Sequence, residues 1–403
     1  MKKYILPLLL MALTTTSVKA QKNDADTPYR RSSLYSILIN HTDQKFAKEI
    51  CNAFLAMPTP DKYNNHDLSV KVIYLDKKLK GAKSDNENEA VTTYLTENQV
   101  ASQLVAKWFD RDSNTGECDM ELIKARGLYN ATKFDEILAE KSARSQALMA
   151  DAGEDLIGNT FVVVNDIRYI DKEQRGKLIG GIFKAIGSLA GMSGLSDIGS
   201  FMENMRGFKV KINTFLYRLD WNDEIALNFY KTQYASTPYE EGKYKAFDDG
   251  RGQYHLTYVG KVESKGSTTS FAGVNAGDPV QMVRKACQRA LDDNIVDLQR
   301  SYSEFRTKSP LVSTEPITAY IGKKEGVTED SKFEVLEVIE NEDGTHSYKR
   351  VGTIRPVKNK IWDNRYMAVE EGAQGASLGA TTFERTSGTK DFYPGMMIRE
   401  ITK

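Results

Sequence analysis

The sequence predicts an α+β fold: a layered mixed sheet covered by helices, followed by a small β-barrel or β-sandwich. Up to about residue 309, strand-like segments alternate with segments of helical period, which is typical of a layered sheet. Beyond Pro310, short strand-like segments follow one another with turns between them. The chain has 403 residues, of which 40% are apolar. Because single domains usually hold roughly 100 to 150 residues, we expect at least two cores.

The first predicted unit is a strand over residues 33–40 followed by a helix. Thr42 is expected to cap the helix and Pro58 to end it. Apolar residues recur every three or four positions and predict the buried face of this helix: Phe46, Ile50, Ala53, Phe54 and Met57. Residues 68–76 predict a second strand, and the polar residues 77–89 predict a solvated loop.

The second predicted unit opens with residues 96–99, whose Thr-Glu-Asn-Gln pattern predicts a capping box and a helix through Phe109. Residues 120–123 predict a short strand and residues 132–155 a helix. Residues 160–170 contain the strongest strand pattern of the chain.

Two long strands are predicted over residues 208–220 and 253–263, with a polar loop between them. Asp278 followed by Pro279 predicts an N-cap with proline in the first helical position. The helix that begins there continues to about residue 306 and is long enough to cover a sheet.

The C-terminal residues 310–403 predict a separate all-β domain. No segment of helical period interrupts its four predicted strands, which span residues 317–321, 332–339, 347–357 and 396–401. The mixed α/β domain is accordingly predicted over residues 21–309.

The first twenty residues have the order of a secretory signal peptide. Lys2 and Lys3 precede an apolar stretch of about ten residues, which is too short for a membrane span of roughly 20. Small residues at Val18 and Ala20 predict cleavage after Ala20. We therefore expect an exported protein of the periplasm or outer envelope. Since the residue directly after the cleavage site is Gln21 and not a cysteine, a lipid anchor is disfavoured.

Composition excludes several classes of function. Lys plus Arg and Asp plus Glu both number 55, so the chain lacks the positive field of a dedicated nucleic-acid binder. Four histidines and three widely spaced cysteines predict no metal, haem or iron–sulfur site and no other cofactor. Cys51, Cys118 and Cys287 are interpreted as small core residues rather than as a disulfide framework.

Residues 176–207 form a glycine-rich insert with eight glycines. Between residues 178 and 195 the only charge is Lys184. The predicted apolar stripe is Leu178, Ile179, Ile182, Phe183, Ile186, Leu189, Ala190 and Leu195. Glycine at this density weakens an isolated helix by roughly 1 kcal/mol per residue, so the stripe needs a surface to pack on. That surface is the protein's own sheet, a partner or second copy, or a membrane.

The candidate interaction surface combines this insert with the tyrosine-rich residues 230–247. Tyrosine is common at protein interfaces, although a plain surface loop has the same composition. The residues assigned to the surface are Ile182, Phe183, Ile186, Leu189, Leu195, Tyr234, Tyr239 and Tyr244.

Catalytic signals are weak. His41, Asp61 and His66 lie close in sequence and offer a general base or metal ligands, but they lack helical i, i+4 spacing and are interpreted as ordinary loop and strand-end residues. His255 offers a second possible base, with which no Ser or Cys nucleophile can be paired from sequence. The acidic pairs at residues 248–249 and 292–293 lack an EF-hand register and are interpreted as solvated faces.

The order of elements resembles an α/β domain of the cell envelope. The resemblance rests on residues 70–75, 98–109, 120–124, 126–127, 152–153 and 159–164. This part of the chain is similar to a domain that is shared by curli-secretion pore lipoproteins, the N-terminal part of the Tol-Pal translocation protein and the middle of a flagellar assembly protein. Residues 319–327, 332–336 and 351–357 look like the C-terminal β-domain of that flagellar protein. The resemblance implies an envelope role without catalysis.

The sequence therefore favours an exported envelope protein that acts by binding or assembly, through a protein partner or self-association. Two alternatives stay open. One is a secreted hydrolase with a base at His255 or in the region of His41 and His66. The other is a pore or adhesin component that contacts the membrane through the insert.

Overall fold

The structure is a computed structural model that describes residues 32–75, 84–130, 156–170, 208–240, 242–267, 279–340, 346–388 and 391–402. The predicted helix over residues 132–155 and the glycine-rich insert lie outside these ranges. Two unlike sheets confirm the predicted α+β class.

The described residues before position 302 form strands and helices in mixed order. In chain order they are β1 (Ser32–Ile39), α1 (Ala47–Leu55), β2 (Tyr63–Asn65), β3 (Val72–Ile73), α2 (Ser84–Glu97), α3 (Val100–Trp108), α4 (Glu121–Asn130), β4 (Thr160–Tyr169), β5 (Lys209–Leu219), α5 (Asp223–Thr232), α6 (Ala246–Asp249), β6 (Leu256–Ser267) and α7 (Pro279–Ser301). The first sheet has the order β2-β1-β4-β5-β6, with β3 also paired to β1. Strands β2, β3 and β4 run parallel to β1, whereas β5 and β6 continue antiparallel.

Helices cover both faces of the first sheet, and successive apolar residues of β4 point to the two faces in turn. Val162 and Val164 point into a core that includes residues of α2, α3 and α5. Phe161 and Val163 point to the other face, where α7 packs together with α1. A strand with both faces buried reads as a continuous apolar run, which explains the strong pattern at residues 160–170.

The C-terminal domain is a curled sheet of short strands. They are β7 (Ser309–Pro310), β8 (Ser313–Thr314), β9 (Ile317–Ala319), β10 (Phe333–Glu340), β11 (His346–Pro356), β12 (Thr381–Ser387) and β13 (Met397–Glu400). Their spatial order is β7-β13-β10-β11-β12-β9-β8. The terminal strands β7 and β8 are neighbours in sequence. Leu311 donates to the Met396 carbonyl and Val312 to the Thr318 carbonyl, so residues 309–314 join both ends of the half-barrel.

The predicted strand over residues 68–76 is wrong for most of its length. Within that range only Val72–Ile73 pairs with β1, at the C-terminal end of β1. Strand β2 pairs with the N-terminal end of β1. Between them the Asp67 carboxylate accepts from the backbone N–H of Ser36 at 3.0 Å. Because a side chain takes the place of a strand carbonyl, the backbone can leave the sheet.

The predicted strand over residues 120–123 is also wrong, since helix α4 begins at Glu121. The Asp119 carboxylate accepts from the Glu121 N–H at 2.9 Å, in the manner of a helix cap. Asp119 was thus a helix-start signal that the apolar residues after it obscured.

Several boundaries differ from those predicted. Helix α1 begins at Ala47 after Phe46 in the left-handed region, so Thr42 is not its cap. Helix α2 occupies residues 84–97, so the end of the predicted loop is helical. Thr96 lies inside this helix and does not begin a capping box. The segment between β5 and β6 is partly helical, because it contains α5 and α6. Strand β6 begins at Leu256 rather than residue 253.

Candidate functional site

Helix α7 connects the two cores. Val283, Cys287 and Ala290 are buried against the first sheet. Two glycines of β6 allow this close approach: a Cβ at Gly266 would lie 2.1 Å from the Ala286 carbonyl oxygen, and one at Gly260 would overlap a tyrosine ring. The opposite side of α7 faces the C-terminal domain.

Ion pairs fasten the C-terminal domain to α7. Glu371 pairs with Lys285 and, at 2.7 Å, with Arg289, which also donates to the Tyr366 carbonyl at 2.8 Å. The side chains of Lys285 and Glu371 are only 3% and 16% exposed, so water and salt screen this pair little.

A groove of about 640 Å³ lies between α7 and the C-terminal domain. Its walls come from β6, α7 and three loops of the β-domain. The lining residues are Glu263, Ser264, Asp293, Val296, Asp297, Arg300, Lys323, Gly326, Val327, Thr328, Glu329, Asn359, Ile361, Arg365 and Gln374. We call this the interdomain groove.

The floor of the interdomain groove is aliphatic. Val296, Val327 and Ile361 line it, and each is less than 9% exposed. Gly326 lets the β-domain approach α7 here, because a Cβ at this residue would lie 2.6 Å from the Val296 side chain. Its φ of 73° is a backbone conformation that favours glycine.

One wall of the groove is held by a buried carboxylate. Asp363 is 1% exposed and accepts from Arg365 at 2.7 Å and Lys323 at 3.1 Å. Burial alone would raise the pKa of Asp363, but these two cations outweigh it and lower the pKa to about 2. The two cations and the loop they anchor are therefore fixed in place.

A much smaller polar cavity of about 20 Å³ lies beside the groove, between the two domains. It has room for one water molecule. Lys62, Arg300 and Glu400 line it. Burial is the main reason that the pKa of Lys62 is lowered.

Asp292 lies in the same region of the domain boundary. Its Oδ2 is buried and makes no hydrogen bond with any described residue. Burial raises the pKa of Asp292 to about 7, with Lys324 opposing the shift and Glu325 adding to it. Residues 292 and 293, interpreted from sequence as one solvated face, thus have different surroundings: Asp292 faces the boundary and Asp293 lines the groove.

His41 is the predicted base that the structure places next to a carboxylate. It follows β1, and its Nε2 contacts Asp166 of the parallel neighbour β4. Arg168 donates to Asp166 at 2.7 Å and to Glu87 of α2 at 2.8 Å. Four titratable groups from three elements therefore meet at the carboxyl ends of β1 and β4, where ligands commonly bind in α/β sheets.

The two carboxyls of this cluster have opposite pKa shifts. Burial alone would raise the pKa of Asp166, but hydrogen bonds from His41 and Glu87 and the charge of Arg168 lower it to about 2. Burial, followed by the hydrogen bond to Asp166, raises the pKa of Glu87. Of the two carboxyls, Asp166 is therefore the more acidic and Glu87 the less acidic.

His66 lies at the other end of β1. Arg126 donates to its Nδ1 at 3.0 Å, so Nε2 carries the proton and donates to the Leu104 carbonyl at 3.0 Å. Burial and the charge of Arg126 lower the pKa of His66 well below its usual value. Both ring nitrogens are occupied, and the ring stacks on Trp108 at 5.0 Å.

The structure does not bring together His41, Asp61 and His66, the residues considered from sequence as a base or as metal ligands. His41 and His66 are separated by the length of β1, roughly 20 Å at about 3.3 Å per residue. Asp61 pairs instead with Lys324 at 3.0 Å. Among the described residues, no three His, Cys, Asp or Glu side chains are grouped so as to hold a metal ion. His255 is exposed at the start of β6.

Of the predicted interaction surface, only the three tyrosines lie within the described ranges. Tyr239 is 60% exposed and has a φ of 55°, whereas Tyr234 and Tyr244 are half-buried. Tyr239 contacts Tyr244 edge to face at 5.7 Å, and Tyr234 packs on Phe229. The tyrosines thus belong partly to the core beside α5. The five insert residues of the predicted surface lie outside the described ranges.

Sequence reasoning missed the interdomain groove. A local signal existed, since Asp293, Val296, Asp297 and Arg300 share one side of α7 at spacings of three and four residues. The opposing wall comes from residues 323–329 and 359–374, and nothing local in the sequence places those segments beside α7.

Comparison with known proteins adds no family assignment: no family model matches the chain, and no curated protein shows significant similarity to it. None of the described helices is long and apolar enough to cross a membrane.

Proposed function

We propose that the protein is an exported component of the cell envelope that binds a protein partner in the interdomain groove and acts in assembly without catalysis. The observation that carries the proposal is the groove itself. Binding sites occur preferentially between domains, where two rigid surfaces form a concave site with an apolar floor and a few polar groups. The ion pairs of Glu371 and Asp363 hold both walls in place.

Export and an envelope role are supported by the sequence alone. The first twenty residues have the order of a signal peptide, and the resemblance to envelope assembly domains points the same way. The mature protein recovered from exporting cells is expected to begin at Gln21. N-terminal sequencing checks this, and a retained Met1 contradicts it.

The binding proposal is tested by affinity capture from an envelope fraction with the mature chain. Gln374→Trp places a large side chain in the groove from an exposed position. Leu227→Trp is the matched control, because Leu227 is 70% exposed on α5, across the sheet from α7. Partners that are captured by the wild type and the control but lost with Gln374→Trp support the proposal. Capture that is equal for all three proteins contradicts it.

A second candidate function rests on the contact between His41 and Asp166. A buried carboxylate that orients an imidazole is the arrangement by which hydrolases activate a nucleophile. His41 is 18% exposed at this point. If the protein is a hydrolase, His41→Ala abolishes cleavage of ester or peptide substrates while Gln374→Trp leaves it unchanged. Equal activity in wild type and His41→Ala removes this candidate.

The insert provides a separate test of self-association or membrane contact. Deletion of residues 178–195 is expected to change oligomer size or membrane retention if the insert is an interaction surface. Size-exclusion chromatography and carbonate extraction measure these two properties. Unchanged behaviour in both assigns the insert to internal packing.

A further inference from the structure

Strand β6 lies at the edge of the first sheet. Among the described strands it pairs with β5 alone, through residues 256–267. An edge strand has backbone N–H and C=O groups that point away from its neighbour, and these groups can pair with the backbone of another chain. What lies along the outer side of β6 therefore decides whether another chain can pair there.

Tyr302 shows which residues of β6 point outwards. Its hydroxyl accepts from the Lys261 N–H at 3.1 Å and donates to the Lys261 carbonyl at 3.3 Å, so both backbone groups of Lys261 point away from β5. The register with β5 has no shift over residues 261–267. Because backbone groups alternate in direction along an antiparallel strand, those of Glu263 and Lys265 point outwards as well.

The outward backbone groups of Glu263 and Lys265 make no hydrogen bond with any described residue. Glu263 and Ser264 line the interdomain groove, so this part of the edge opens into the groove. Tyr302 ends the open edge on one side, because its hydroxyl occupies the place that the backbone of a further strand would take beside Lys261.

The β-domain limits what can pair with this edge. Its residues 323–329 and 359–374 form the opposite wall of the groove. Neighbouring strands lie about 4.8 Å apart, so a single extended chain fits beside β6, whereas a second sheet that approached edge to edge would meet the β-domain. The groove therefore favours one strand of a partner over a second copy of β6.

The apolar floor of the groove favours an aliphatic segment. Ser264 donates its hydroxyl to the Ala290 carbonyl at 2.7 Å, so the side of β6 that carries Ser264 faces α7. Every second side chain of an added strand would lie on that same side. There Val296 of α7 continues the floor with Val327 and Ile361. Aliphatic residues at alternate positions would bury apolar surface on this floor.

We propose that the interdomain groove binds an extended segment of a partner protein, which pairs with Glu263 and Lys265 as an added strand and lays alternate aliphatic side chains on the apolar floor. Recognition of this kind takes its affinity from main-chain hydrogen bonds and its specificity from the side chains that alternate along the strand. The proposal rests on the proposed function and specifies the conformation and chemistry of the partner segment.

The test uses the mature full-length chain and a fluorescent peptide in which valine alternates with threonine. Fluorescence anisotropy is expected to show binding by the wild type. Glu263→Pro removes an outward N–H, which an edge strand tolerates, and is expected to weaken binding by about tenfold or more. Glu263→Ala is the matched control, because it loses the same side chain but keeps the N–H, and it is expected to bind like the wild type.

Amide hydrogen exchange provides a second readout that needs no variant. In the free chain the amides of Glu263 and Lys265 are expected to exchange faster than those of Val262 and Ser264, which point towards β5. With the peptide bound, exchange at Glu263 and Lys265 is expected to slow by about tenfold or more, while exchange at Val262 and Ser264 changes little.

Four outcomes overturn the proposal: no peptide binding by the wild type, equal binding by Glu263→Pro and Glu263→Ala, slow exchange at Glu263 and Lys265 in the free chain, or equal binding of a peptide with serine in place of valine. A thermal unfolding scan checks that Glu263→Pro is folded. If that variant is unfolded, the exchange measurement on the wild type decides.

Failure here is distinguishable from failure of the proposed function. If envelope partners are lost with Gln374→Trp but captured equally by Glu263→Pro and Glu263→Ala, the groove binds a partner and only the added strand is wrong. If all three variants capture as the wild type does, the groove is not the binding site.

Discussion

At the scale of single residues, two aspartates show how burial acts on a carboxyl with and without partners. Asp166 is fully buried but receives hydrogen bonds and the charge of Arg168, which lower its pKa to about 2. Asp292 has a buried oxygen without a partner among the described residues, and its pKa is raised to about 7. Ionised Asp166 therefore stabilises the fold, whereas ionised Asp292 destabilises it.

Asp166→Asn is expected to lower the free energy of unfolding by about 3 kcal/mol at pH 7, because His41 loses its carboxylate partner and Arg168 keeps only Glu87. The pKa of Asp166 is lower in the folded state than its usual 3.8. Its contribution is therefore present above pH 3.8 and lost as the pH falls towards 2. Urea unfolding at several pH values checks this. A difference between wild type and variant that does not shrink in acid contradicts it, and Asp249→Asn serves as an exposed control.

Asp292→Asn is expected to have the opposite effect. Because the folded state holds the proton of Asp292 up to about pH 7, stability falls as the pH rises from 3.8 through 7. The amide removes that cost, so the variant is expected to gain about 2 kcal/mol over the wild type at pH 8 and much less at pH 4. Thermal unfolding at both pH values measures the gain. A variant less stable than the wild type at pH 8 shows that the carboxylate is not strained.

At the scale of elements, the packing of α7 on β6 depends on glycines of β6, which have no side chain. Gly266→Ala is expected to lower the free energy of unfolding by about 1–3 kcal/mol, since its Cβ would meet the Ala286 carbonyl oxygen of α7. Gly252→Ala is the matched control, because nothing lies within 4 Å of its Cβ position. Chemical unfolding of both variants measures the contrast. Equal stabilities would show that α7 can move away without cost.

Sequence periodicity predicted the elements whose burial follows one pattern throughout. Strand β4, with both faces covered, and α7, whose apolar stripe packs on the first sheet, were predicted closely. Prediction failed where a polar side chain substitutes for backbone pairing, as Asp67 does for Ser36, or where a cap such as Asp119 precedes apolar residues. In both cases a single hydrogen bond, rather than a period, decides the backbone conformation.

The candidate site was less predictable than the fold because it is divided between distant segments. One wall of the interdomain groove is one side of α7, but the floor also needs Val327 and Ile361 from the β-domain. Likewise, His41 was recognised as a possible base, whereas its partner Asp166 lies 125 residues away. Parallel pairing of β1 and β4 brings these two together, and pairing across that distance has no local signal.

At the scale of the whole molecule, the ion pairs between Glu371 and α7 hold the C-terminal domain in position on the first domain. Glu371→Gln is expected to lower the free energy of unfolding by about 2 kcal/mol, because Lys285 and Arg289 lose a shared carboxylate at a partly buried boundary. The adjacent and exposed Glu370 gives the matched control Glu370→Gln. Differential scanning calorimetry is expected to show a lower midpoint only for Glu371→Gln. Matching midpoints would mean that the ion pair does not help to hold the domains together.

Residues 309–314 limit where a recombinant fragment of the C-terminal domain can begin. Since Ser309–Pro310 pairs with one end of the curled sheet and Ser313–Thr314 with the other, a recombinant fragment that starts at residue 315 would expose two strand edges and be prone to aggregate. Even a start at Pro310 removes half of β7. An autonomous C-terminal fragment has to include the last residues of the linker after α7.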